Sequence, residues 1–503
     1  MGCTSAPWRR YAATILHAQK RAFSTSKIVQ DTPRSQYLAP PQYNLRHLTA
    51  NPELYISSCI RRRLPKVAET IPAVLELYQA TNSNKAKRTE VYSERKKLHQ
   101  QLGKNDLSAE DRKLLLDRLN EVKVAGTKVD DEIAKLEAKI SAYMDSVPNL
   151  LPDDCPRETE EVVKYLCSPP EKGSSHLIND DQYIRPIDFE ETRPDHVDIG
   201  NELGLLDLTT ASIVSGHAFY YLIGDGALLE QALVQFALSM ARQHGFKVMM
   251  PPSVVRREYA MACGFRPRDA DGERQIYNLS VAGGTSEDGA IPDDGTLCLT
   301  GTAEIPLASW ASNKTFESAQ CPVKIAGVSR SYRAEAGARG RDTRGIYRVH
   351  EFTKVELFAW VPGCTETESY SENMLEELRD LQESIITQLG LHCRVLNMPS
   401  TDLGASAYKK YDIEAWMPGR QSWGEVTSAS NCLDYQARRL HTKVRMNGKT
   451  TVLAHTLNGT ALAVPRVIVA ILENFYDPER KAVWIPKPLR KYMDDRAWIT
   501  KED

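Results

Sequence analysis

The segment 328–358, VSRSYRAEAGARGRDTRGIYRVHEFTKVELF, constrains the fold of this chain more than any other. Its two ends have the character of β-strands, and the stretch between them is crowded with charged side chains and glycines. Glycine allows tight turns and lets a ligand approach the backbone closely. The segment therefore predicts two strands joined by an anion-binding loop. The residues concerned are Arg333, Glu335, Gly337, Arg339, Gly340, Arg341, Asp342, Arg344, Gly345 and Arg348.

The second strand of this segment adds a carboxylate. Val355 and Leu357 are apolar and alternate with Glu356, which is therefore expected on the opposite face of the strand, where it can line a pocket. The alternative for the whole segment is a solvated basic hairpin, because runs of charge are commonly exposed surface.

Three further segments occur with this one in a recognisable order and spacing. LTGTAEIPL at 299–307 precedes it, LNGTALAVPRVIVAILENF at 457–475 follows it, and GALLEQALVQFALSMARQHGFKVMMPPSVV at 226–255 predicts a long amphipathic helix, a turn and a short strand. Together they resemble the serine-binding loop and motifs 1, 2 and 3 of the seryl-tRNA synthetases, which are class II aminoacyl-tRNA synthetases. The resemblance covers most of the chain from about Arg193 onward, and more weakly the helical segment before it.

The resemblance implies an α+β fold, with a mostly antiparallel class II sheet flanked by helices and a separate N-terminal coiled-coil arm. A chain of 503 residues is long for one domain. The expected division is a transit peptide at 1–30, a tRNA-binding domain at 31–185 with its arm at about 72–145, and a catalytic domain at 186–503. Motif 1 implies a homodimer.

The arm is also predicted by periodicity. Apolar side chains recur every seven residues in its second half, with an interleaved row and Gly126 as the one gap, and Ser108 begins a capping sequence. The two rows are Leu115, Val122, Val129, Leu136 and Tyr143, and Leu119, Ile133 and Ile140. The first half keeps the spacing at Leu77, Val91 and Leu98 but places Asn84 and Lys87 near the seam.

An antiparallel hairpin with basic side chains on its surface can contact phosphates. The residues that carry this expectation are Lys85, Lys87, Arg88, Arg95, Lys96 and Lys97. For each single lysine a solvated surface position is the competing interpretation. In the family resembled, such an arm grips the long variable arm of serine tRNA by shape and backbone contacts.

Composition and the N-terminus bound the remaining classes. Residues 1–30 contain five basic residues and no acid, as mitochondrial transit peptides do, which predicts the mitochondrial matrix; a disordered basic tail is the alternative. Formal net charge is -2, which argues against indiscriminate nucleic-acid binding. No apolar run is long enough to span a bilayer. The ten cysteines form no C-x-x-C pair, so we expect reduced thiols and no zinc.

The chemistry of amino-acid activation needs fixed positive charge, because a carboxylate must meet the α-phosphate of ATP. The resemblance implies that Arg333 bridges these two anions and that Arg466, in motif 3, covers the adenine and reaches the γ-phosphate. It further implies that Glu335 and the backbone of Val349 meet adenine and that Phe352 stacks under it. As a single Arg on an apolar helix, Arg466 is alternatively a buried ion-pair partner.

The segment GEVTSASN at 424–431 resembles the family's sequence that holds ATP and Mg²⁺, a cation that prefers hard oxygen ligands. Glu425 and Ser428 are the expected metal ligands, and Thr427 replaces the usual serine while keeping a hydroxyl. The expected catalytic residues are Arg333, Glu425 and Arg466. The expected ATP-binding residues are Arg333, Ala334, Glu335, Val349, Phe352, Glu425, Val426, Thr427, Ser428 and Arg466.

Serine selection requires a small pocket with hydrogen-bonding groups. The resemblance implies that Glu356 and Thr460 contact the serine hydroxyl and that Thr302 and Glu304 hold its ammonium; Ala303 and Arg333 complete the expected serine site. A buried acceptor left unpaired by alanine would penalise that substrate. The family pattern is altered at Thr300, Gly301, Ala461 and Pro465, in the manner of fungal mitochondrial members.

The function these residues predict is serine–tRNA ligation for mitochondrial translation, with ATP and Mg²⁺, through a seryl-adenylate. Two rivals remain: a ligase that charges a carrier protein, and an inactive paralogue that binds RNA. The arm disfavours the first, and the presence of Arg333, Glu335, Glu425 and Arg466 disfavours the second. An insertion at 281–295 is expected to be a surface excursion, and the tail from Arg490 is expected to be surface.

Overall fold

A computed structural model provides the structure of the chain. It describes residues 38–103, 107–168, 177–178, 183–184, 193–265, 276–279, 297–335, 344–363 and 369–501. The predicted transit peptide, the insertion at 281–295 and the loop positions Gly337, Arg339, Gly340, Arg341 and Asp342 lie outside the described residues. The described residues form two compact units, 77–143 and the remainder. The domain boundaries predicted at 31 and 185 stay predictions.

The helices of the N-terminal part begin with three short ones: α1 (Leu45–Ala50), α2 (Pro52–Arg61) and α3 (Pro65–Ala68). These belong to the same compact unit as the main sheet described below. Arg62 fastens them there, because its guanidinium donates to the carbonyls of Leu403, at 3.1 Å, and Ala407, at 2.5 Å.

The predicted arm is confirmed as two long helices, α4 (Ile71–Leu102) and α5 (Ala109–Ser146). The ion pairs between Lys85 and Glu137 and between Glu94 and Arg118, both 2.8 Å, join positions that rise along one helix and fall along the other, so the hairpin is antiparallel. Ser108 caps α5 by accepting from the Asp111 N–H at 3.0 Å.

The seam of the arm differs in detail from the expectation. The apolar rows of α5 are buried or half-buried as predicted. On α4, Asn84 is half-buried and donates to Glu132 at 3.4 Å, but Lys87 is exposed and not at the seam. Thr81 is buried instead. It lies one helical turn before Lys85, on the side of α4 that faces α5.

The remaining elements up to motif 2 are short, apart from one long helix. They are β1 (Glu161–Leu166), β2 (Leu177–Ile178), β3 (Tyr183–Ile184), α6 (His196–Glu202), β4 (Leu206–Asp207), α7 (Leu208–Val214), β5 (Tyr221–Leu222), α8 (Asp225–Gln243), β6 (Lys247–Met249), β7 (Val254–Arg256), α9 (Arg257–Ala262), β8 (Asn278–Leu279), β9 (Leu297–Leu299), α10 (Glu304–Trp310) and β10 (Thr315–Glu317).

From motif 2 onward the strands lengthen. The elements are β11 (Val323–Tyr332), β12 (Glu351–Pro362), α11 (Tyr370–Leu389), β13 (Cys393–Asn397), β14 (Lys409–Met417), β15 (Ser422–Asn431), α12 (Ala437–Leu440), β16 (Lys443–Met446), β17 (Thr450–Ala463), α13 (Val464–Phe475), β18 (Tyr476–Asp477), β19 (Ala482–Trp484), α14 (Lys487–Arg490) and β20 (Trp498–Ile499).

The main sheet has the order β1-β13-β14-β15-β17-β12-β11-β6. The pairings between these strands are antiparallel except the edge pair β11–β6, and the α+β class is therefore confirmed. The long helices α8, α11 and α13 pack against one face through an extensive apolar core. A second core on the other face contains α9 and α10.

The motif 2 segment forms the antiparallel pair β11–β12 in the middle of this arrangement, as predicted. Val355 and Leu357 enter the first core, whereas Phe358 and Trp360 enter the second. Because β12 is covered on both faces, a charged side chain such as Glu356 is buried wherever it points.

The motif 1 segment has the predicted helix, turn and strand. Helix α8 ends at Gln243, Gly245 has a φ of +80° and β6 follows.

The tail from Arg490 is not simple surface, which corrects the expectation. Arg496 donates to the buried carboxylate of Asp225 at 2.7 Å, and Ile499 is fully buried.

Two other expectations concern the whole chain. The eight cysteines in the described part of the chain are all free, and six of them are buried. Among the described residues no helix combines the length and the apolar character that crossing a membrane requires.

Candidate active site

Arg333 follows directly after β11 and lies among the polar residues of the sheet. Its backbone N–H donates to the carbonyl of His350 at 2.9 Å, which keeps the two strand ends together. Its guanidinium lies 5.3 Å from the centroid of the Phe352 ring, and its Nε donates to the carbonyl of Gly301 at 3.5 Å. Burial lowers the pKa of Arg333, and the Arg466 cation lowers it further. A ligand anion beside these guanidiniums would relieve both effects.

Arg466 lies in the first turn of α13 and holds Glu425. Its Nη1 donates to Glu425 Oε2 at 3.0 Å, and its Nε donates to the carbonyl of Tyr347 at 3.2 Å. Burial opposes ionisation of Glu425, but Arg466, Lys410 and Arg333 together lower its pKa to about 2. Arg466 is therefore an ion-pair partner of Glu425, and its charge also acts on Arg333. Its predicted contacts with adenine and the γ-phosphate stay a prediction.

A β-bulge at Val426 decides which side chains of β15 reach this region. The register with β14 shifts at this point, so normal alternation along β15 is interrupted. Val426 and Ala429 enter the apolar core, whereas Glu425 and Ser428 remain half-buried. The bulge therefore brings the two predicted metal ligands to the same side of the strand.

Thr427 and Thr460, two predicted site residues, are hydrogen-bonded to each other across neighbouring strands. The hydroxyl of Thr427 donates to the carbonyl of Thr460 on the neighbouring strand, and the same carbonyl accepts from Gln382 Nε2 at 2.8 Å. The hydroxyl kept at Thr427 thus cross-links β15 and β17. The side chain of Val426 lies in the apolar core.

Three predicted serine-binding residues, Thr302, Ala303 and Glu304, lie in the loop before α10 and at the first position of that helix. Thr302 Oγ1 donates to Glu356 Oε2 at 3.2 Å and accepts from the Glu304 N–H at 3.3 Å. Glu304 accepts from Gln436 at 2.6 Å and from Asn458 at 3.1 Å. Burial raises the pKa of Glu304 to about 8, with the Glu356 carboxylate as the next cause. Ala303 between them is fully buried.

Glu356 is fully buried with only one of its oxygens engaged. Oε2 accepts from Thr302 and lies 2.5 Å from Lys354 Nζ. Oε1 has no hydrogen-bond partner among the described residues. Thr460 is the cross-strand neighbour of Glu356 on β17. A buried acceptor without a donor is costly unless a ligand supplies one.

The predicted adenine-binding residues lie on either side of the loop. Glu335 has a φ of +45° and accepts from Arg348 Nη1 at 2.9 Å. Val349 is buried, and Phe352 is 9% exposed. Ala334 lies between Arg333 and Glu335 and is half-buried. The φ of Glu335 is sterically unusual for a residue with a side chain, and such conformations occur where the surroundings impose them.

Several functional candidates were missed by the sequence reasoning. They are Lys354, Gln436, Asn458, Tyr347, Lys410 and Asp412. Gln436 and Asn458 contact Glu304, and Tyr347 contacts Arg466, from distant parts of the chain, and no local pattern marks such contacts. Lys410 pairs with Asp412, the cross-strand neighbour of Ser428. Lys354 alone had a signal: a lysine two positions before Glu356 in a strand shares its face.

The oxygen donors here fit a magnesium ion. The Glu425 carboxylate is ionised at neutral pH, Ser428 lies on the same side, and Asp412, the cross-strand neighbour of Ser428, has a buried Oδ1 without a partner among the described residues. Among the described residues no group of three or more His, Cys, Asp or Glu side chains is arranged to hold a metal ion. Magnesium needs none, because it is commonly held by one or two carboxylates together with substrate phosphates.

Two protein-family models match the chain. Residues 43–151 match the seryl-tRNA synthetase N-terminal domain, and residues 287–475 match the tRNA synthetase class II core domain (G, H, P, S and T). These two matches correspond to the arm region and to the sheet that carries the candidate site.

Similar proteins extend the match over nearly the whole chain. The mitochondrial serine–tRNA ligase of Saccharomyces cerevisiae is 41% identical over 95% of this chain and 99% of its own length. That of Schizosaccharomyces pombe is 41% identical over 90% of this chain and 88% of its own.

Among solved structures, the Pyrococcus horikoshii seryl-tRNA synthetase complexed with ATP has a TM-score of 0.77 and 32% identity, covering 92% of this chain and 100% of that one. The cytoplasmic serine–tRNA ligase of Naegleria fowleri in complex with AMP has a TM-score of 0.74 and 25% identity, covering 91% and 97%.

Proposed function

This chain belongs to the seryl-tRNA synthetases of class II, and on that premise we propose how its residues carry out the reaction. It is a serine–tRNA ligase of the mitochondrial type, and ATP is its second substrate. One observation carries the assignment of the site: Arg333 and Arg466 lie together beside Glu425, and Arg333 also contacts the loop that holds Thr302.

In the first step, a serine carboxylate oxygen attacks the α-phosphorus of ATP, and the bond from that phosphorus to the bridging oxygen of the β-phosphate breaks. Seryl-adenylate forms and pyrophosphate leaves. Arg333 contacts both reacting anions, because a planar guanidinium can donate to a carboxylate and a phosphate at once. Its lowered pKa supports this role, since burial and the Arg466 cation both disfavour its charged form and a bound anion would offset them.

ATP is held by the residues around Arg466. Phe352 stacks under adenine, Glu335 accepts from its amino group, and the backbone of Val349 meets its edge. Arg466 covers the base from the other side and reaches the γ-phosphate. Glu425 and Ser428 would hold Mg²⁺, which neutralises phosphate charge as pyrophosphate departs. The pKa of about 2 at Glu425 supports a charged ligand at every working pH.

Serine lies in the pocket formed by the loop before α10 and by β12 and β17. Its ammonium pairs with Glu304 and with the hydroxyl of Thr302, and its own hydroxyl donates to Glu356 Oε1, with Thr460 alongside. The unpaired Oε1 supports this assignment, because serine supplies the missing donor and alanine does not.

In the second step, the terminal 3′-hydroxyl of tRNA attacks the serine acyl carbon and AMP leaves. The arm α4–α5 binds the variable arm of serine tRNA through its basic side chains. The chain forms a homodimer through motif 1, and it acts in the mitochondrion, where we place it in the matrix. The mitochondrial relatives support the compartment.

Serine-dependent ATP/pyrophosphate exchange by the full chain, followed by charging of a mitochondrial tRNA preparation, tests the proposal. We expect both activities. Exchange without charging of any tRNA would favour the carrier-protein ligase. A folded protein that shows no exchange with serine would favour the inactive RNA-binding paralogue and exclude the ligase.

Serine binding should depend on pH through Glu304. A carboxyl with a folded-state pKa of about 8 instead of 4.5 favours its protonated form, so the stability that Glu304 contributes to the ligand-free protein is fully present below pH 4.5 and is lost as the pH rises through about 8. Binding of an ammonium needs the carboxylate. The KM for serine should therefore fall about tenfold per pH unit as the pH rises towards 8.

The measurement is the KM for serine in pyrophosphate exchange from about pH 6 to 8.5. Glu304→Gln is the matched variant, because the amide keeps the shape of the side chain and does not titrate in this range. We expect Glu304→Gln to have a higher KM for serine that does not change with pH in this range. A slope of equal size in Glu304→Gln would assign the titration to another group, the neighbours being Glu356, Lys354 and Arg333.

A further inference from the structure

His196 and Glu473 form a buried pair that the reaction described above does not use. His196 is 2% exposed at the start of α6, and Glu473 is 1% exposed near the end of α13. Glu473 Oε1 lies 2.9 Å from His196 Nδ1 and also accepts from the His196 backbone N–H at 3.2 Å.

The tautomer of this histidine follows from its second contact. The backbone N–H of Ile346 donates to His196 Nε2 at 3.2 Å, so Nε2 must present a lone pair. The ring proton is then on Nδ1 and is donated to Glu473. The other carboxylate oxygen, Oε2, accepts from the backbone N–H groups of Gly419 and Arg420 at 2.9 and 3.1 Å.

The pair therefore joins four backbone segments at one point: the start of α6, the returning end of the motif 2 loop, the β14–β15 connection and α13. The returning end of the motif 2 loop approaches the ring of His196 closely. Gly345 has a φ of +74°, and a Cβ there would lie 2.0 Å from His196 Nε2, so only glycine fits.

The residue after Ile346 links this junction to the ATP site. The carbonyl of Tyr347 accepts from Arg466 Nε at 3.2 Å, and the Tyr347 ring lies 4.8 Å from the Arg466 guanidinium and 3.7 Å from that of Arg420. A shift of Ile346 would move Tyr347, and with it the backbone acceptor that orients Arg466.

We propose that His196 and Glu473 are positioning residues for ATP: they hold Ile346 so that Tyr347 can orient Arg466. This inference rests on the proposed function for the role of Arg466 and extends it to residues outside the site. Neither side chain touches substrate. The Nε2 acceptor is the essential part, because it alone contacts the motif 2 backbone.

Two substitutions separate the two hydrogen bonds of the ring. In His196→Gln the side-chain oxygen takes the place of Nε2 and still accepts from Ile346. In His196→Asn the amide takes the place of Nδ1 and still donates to Glu473, but the acceptor for Ile346 is lost. We expect the Kd for ATP with Mg²⁺, measured by isothermal titration calorimetry, to rise about tenfold in His196→Asn and less than about threefold in His196→Gln.

His392→Ala is the control for loss of a buried histidine. His392 is 7% exposed, and its Nδ1 contacts the carbonyls of Leu166 and Cys167, near β1. It should lower Tm without changing the Kd for ATP. The KM for serine should stay within about twofold in both His196 variants, because serine does not contact Arg466.

Equal affinities for ATP in the two His196 variants, or a loss in His392→Ala as large as in His196→Asn, would overturn the inference. If His196→Asn does not fold, Gly345→Ala presses on the same Nε2 from the loop, and an unchanged Kd for ATP there would overturn it too. Absence of serine-dependent exchange in the unsubstituted protein would count against the proposed function alone, because calorimetry reads ATP binding without it.

Discussion

Replacing Arg333 with alanine should lower kcat for serine-dependent ATP/pyrophosphate exchange by about a thousandfold. The guanidinium is the group expected to meet both the serine carboxylate and the α-phosphate, so its removal leaves two anions facing each other without a fixed cation. Water cannot replace it at equal energy, because solvent dipoles must reorganise as charge moves and a preorganised guanidinium need not.

We do not expect Arg333→Ala to destabilise the fold. Burial and Arg466 both lower the pKa of Arg333, so the cation is held at some expense in the ligand-free protein. We expect Tm in Arg333→Ala to be unchanged or slightly raised, as happens where a functional site stores unfavourable electrostatics.

The matched control for Arg333 is Arg330→Ala. Arg330 is on β11, three residues before Arg333; its side chain is 46% exposed and lies 3.7 Å from Glu230 and from Glu351. Arg330→Ala should change kcat for pyrophosphate exchange by only a fewfold. Pre-steady-state measurement of adenylate formation reads the chemical step directly. Retention of adenylate formation in Arg333→Ala would remove this residue from the mechanism.

Substituting Glu356 with glutamine should abolish most of the preference for serine over alanine. The amide nitrogen would take the place of Oε1 and present a donor where the serine hydroxyl now finds an acceptor. We expect kcat/KM for serine to fall about a hundredfold, and kcat/KM for alanine to change only severalfold, in exchange assays with each amino acid.

Glu356→Gln also removes the charge that partners buried Lys354, whose Nζ lies 2.5 Å away. Breaking one side of a buried ion pair costs about 3–5 kcal/mol, so Tm should fall as well. The double variant Lys354→Met/Glu356→Gln removes the stranded cation and should regain stability without regaining specificity.

Glu351→Gln, at the half-buried first residue of the same strand, is the control for an altered charge on β12. A serine preference that survives in Glu356→Gln would mean that another group reads the hydroxyl, and Thr460 on the neighbouring strand would be the first candidate.

The residues of the site were largely predictable because they lie in short, chemically unusual segments. Arg333 and Glu356 bracket a loop whose charge and glycine content few folds can use, and period-two alternation was enough to assign Glu356 to the face opposite Val355. The capping sequence at Ser108 and the heptad rows likewise defined α5, since helix ends and coiled-coil seams depend on nearby residues only.

Other features could not be predicted, because they arise where distant segments meet. The bulge at Val426 brings Glu425 and Ser428 to one side, and it depends on the register with β14. Heptad spacing placed Lys87 near the arm seam, but the side chain is exposed. The spacing misled because helical phase drifts over many residues. The tail from Arg490 looked polar, yet Arg496 is bound to a buried carboxylate 271 residues away.

By itself the sequence determined the class of fold, the helical arm, the two strands of motif 2 and the identity of the chemical groups at the site. Tertiary structure alone decided how those groups are charged and held. It buried Glu304 beside Glu356, left Oε1 of Glu356 without a partner, and set the His196–Glu473 pair behind the motif 2 loop. The physical reason is that periodicity and local chemistry are encoded along the chain, whereas desolvation and hydrogen-bond satisfaction depend on which remote segments exclude water around each group.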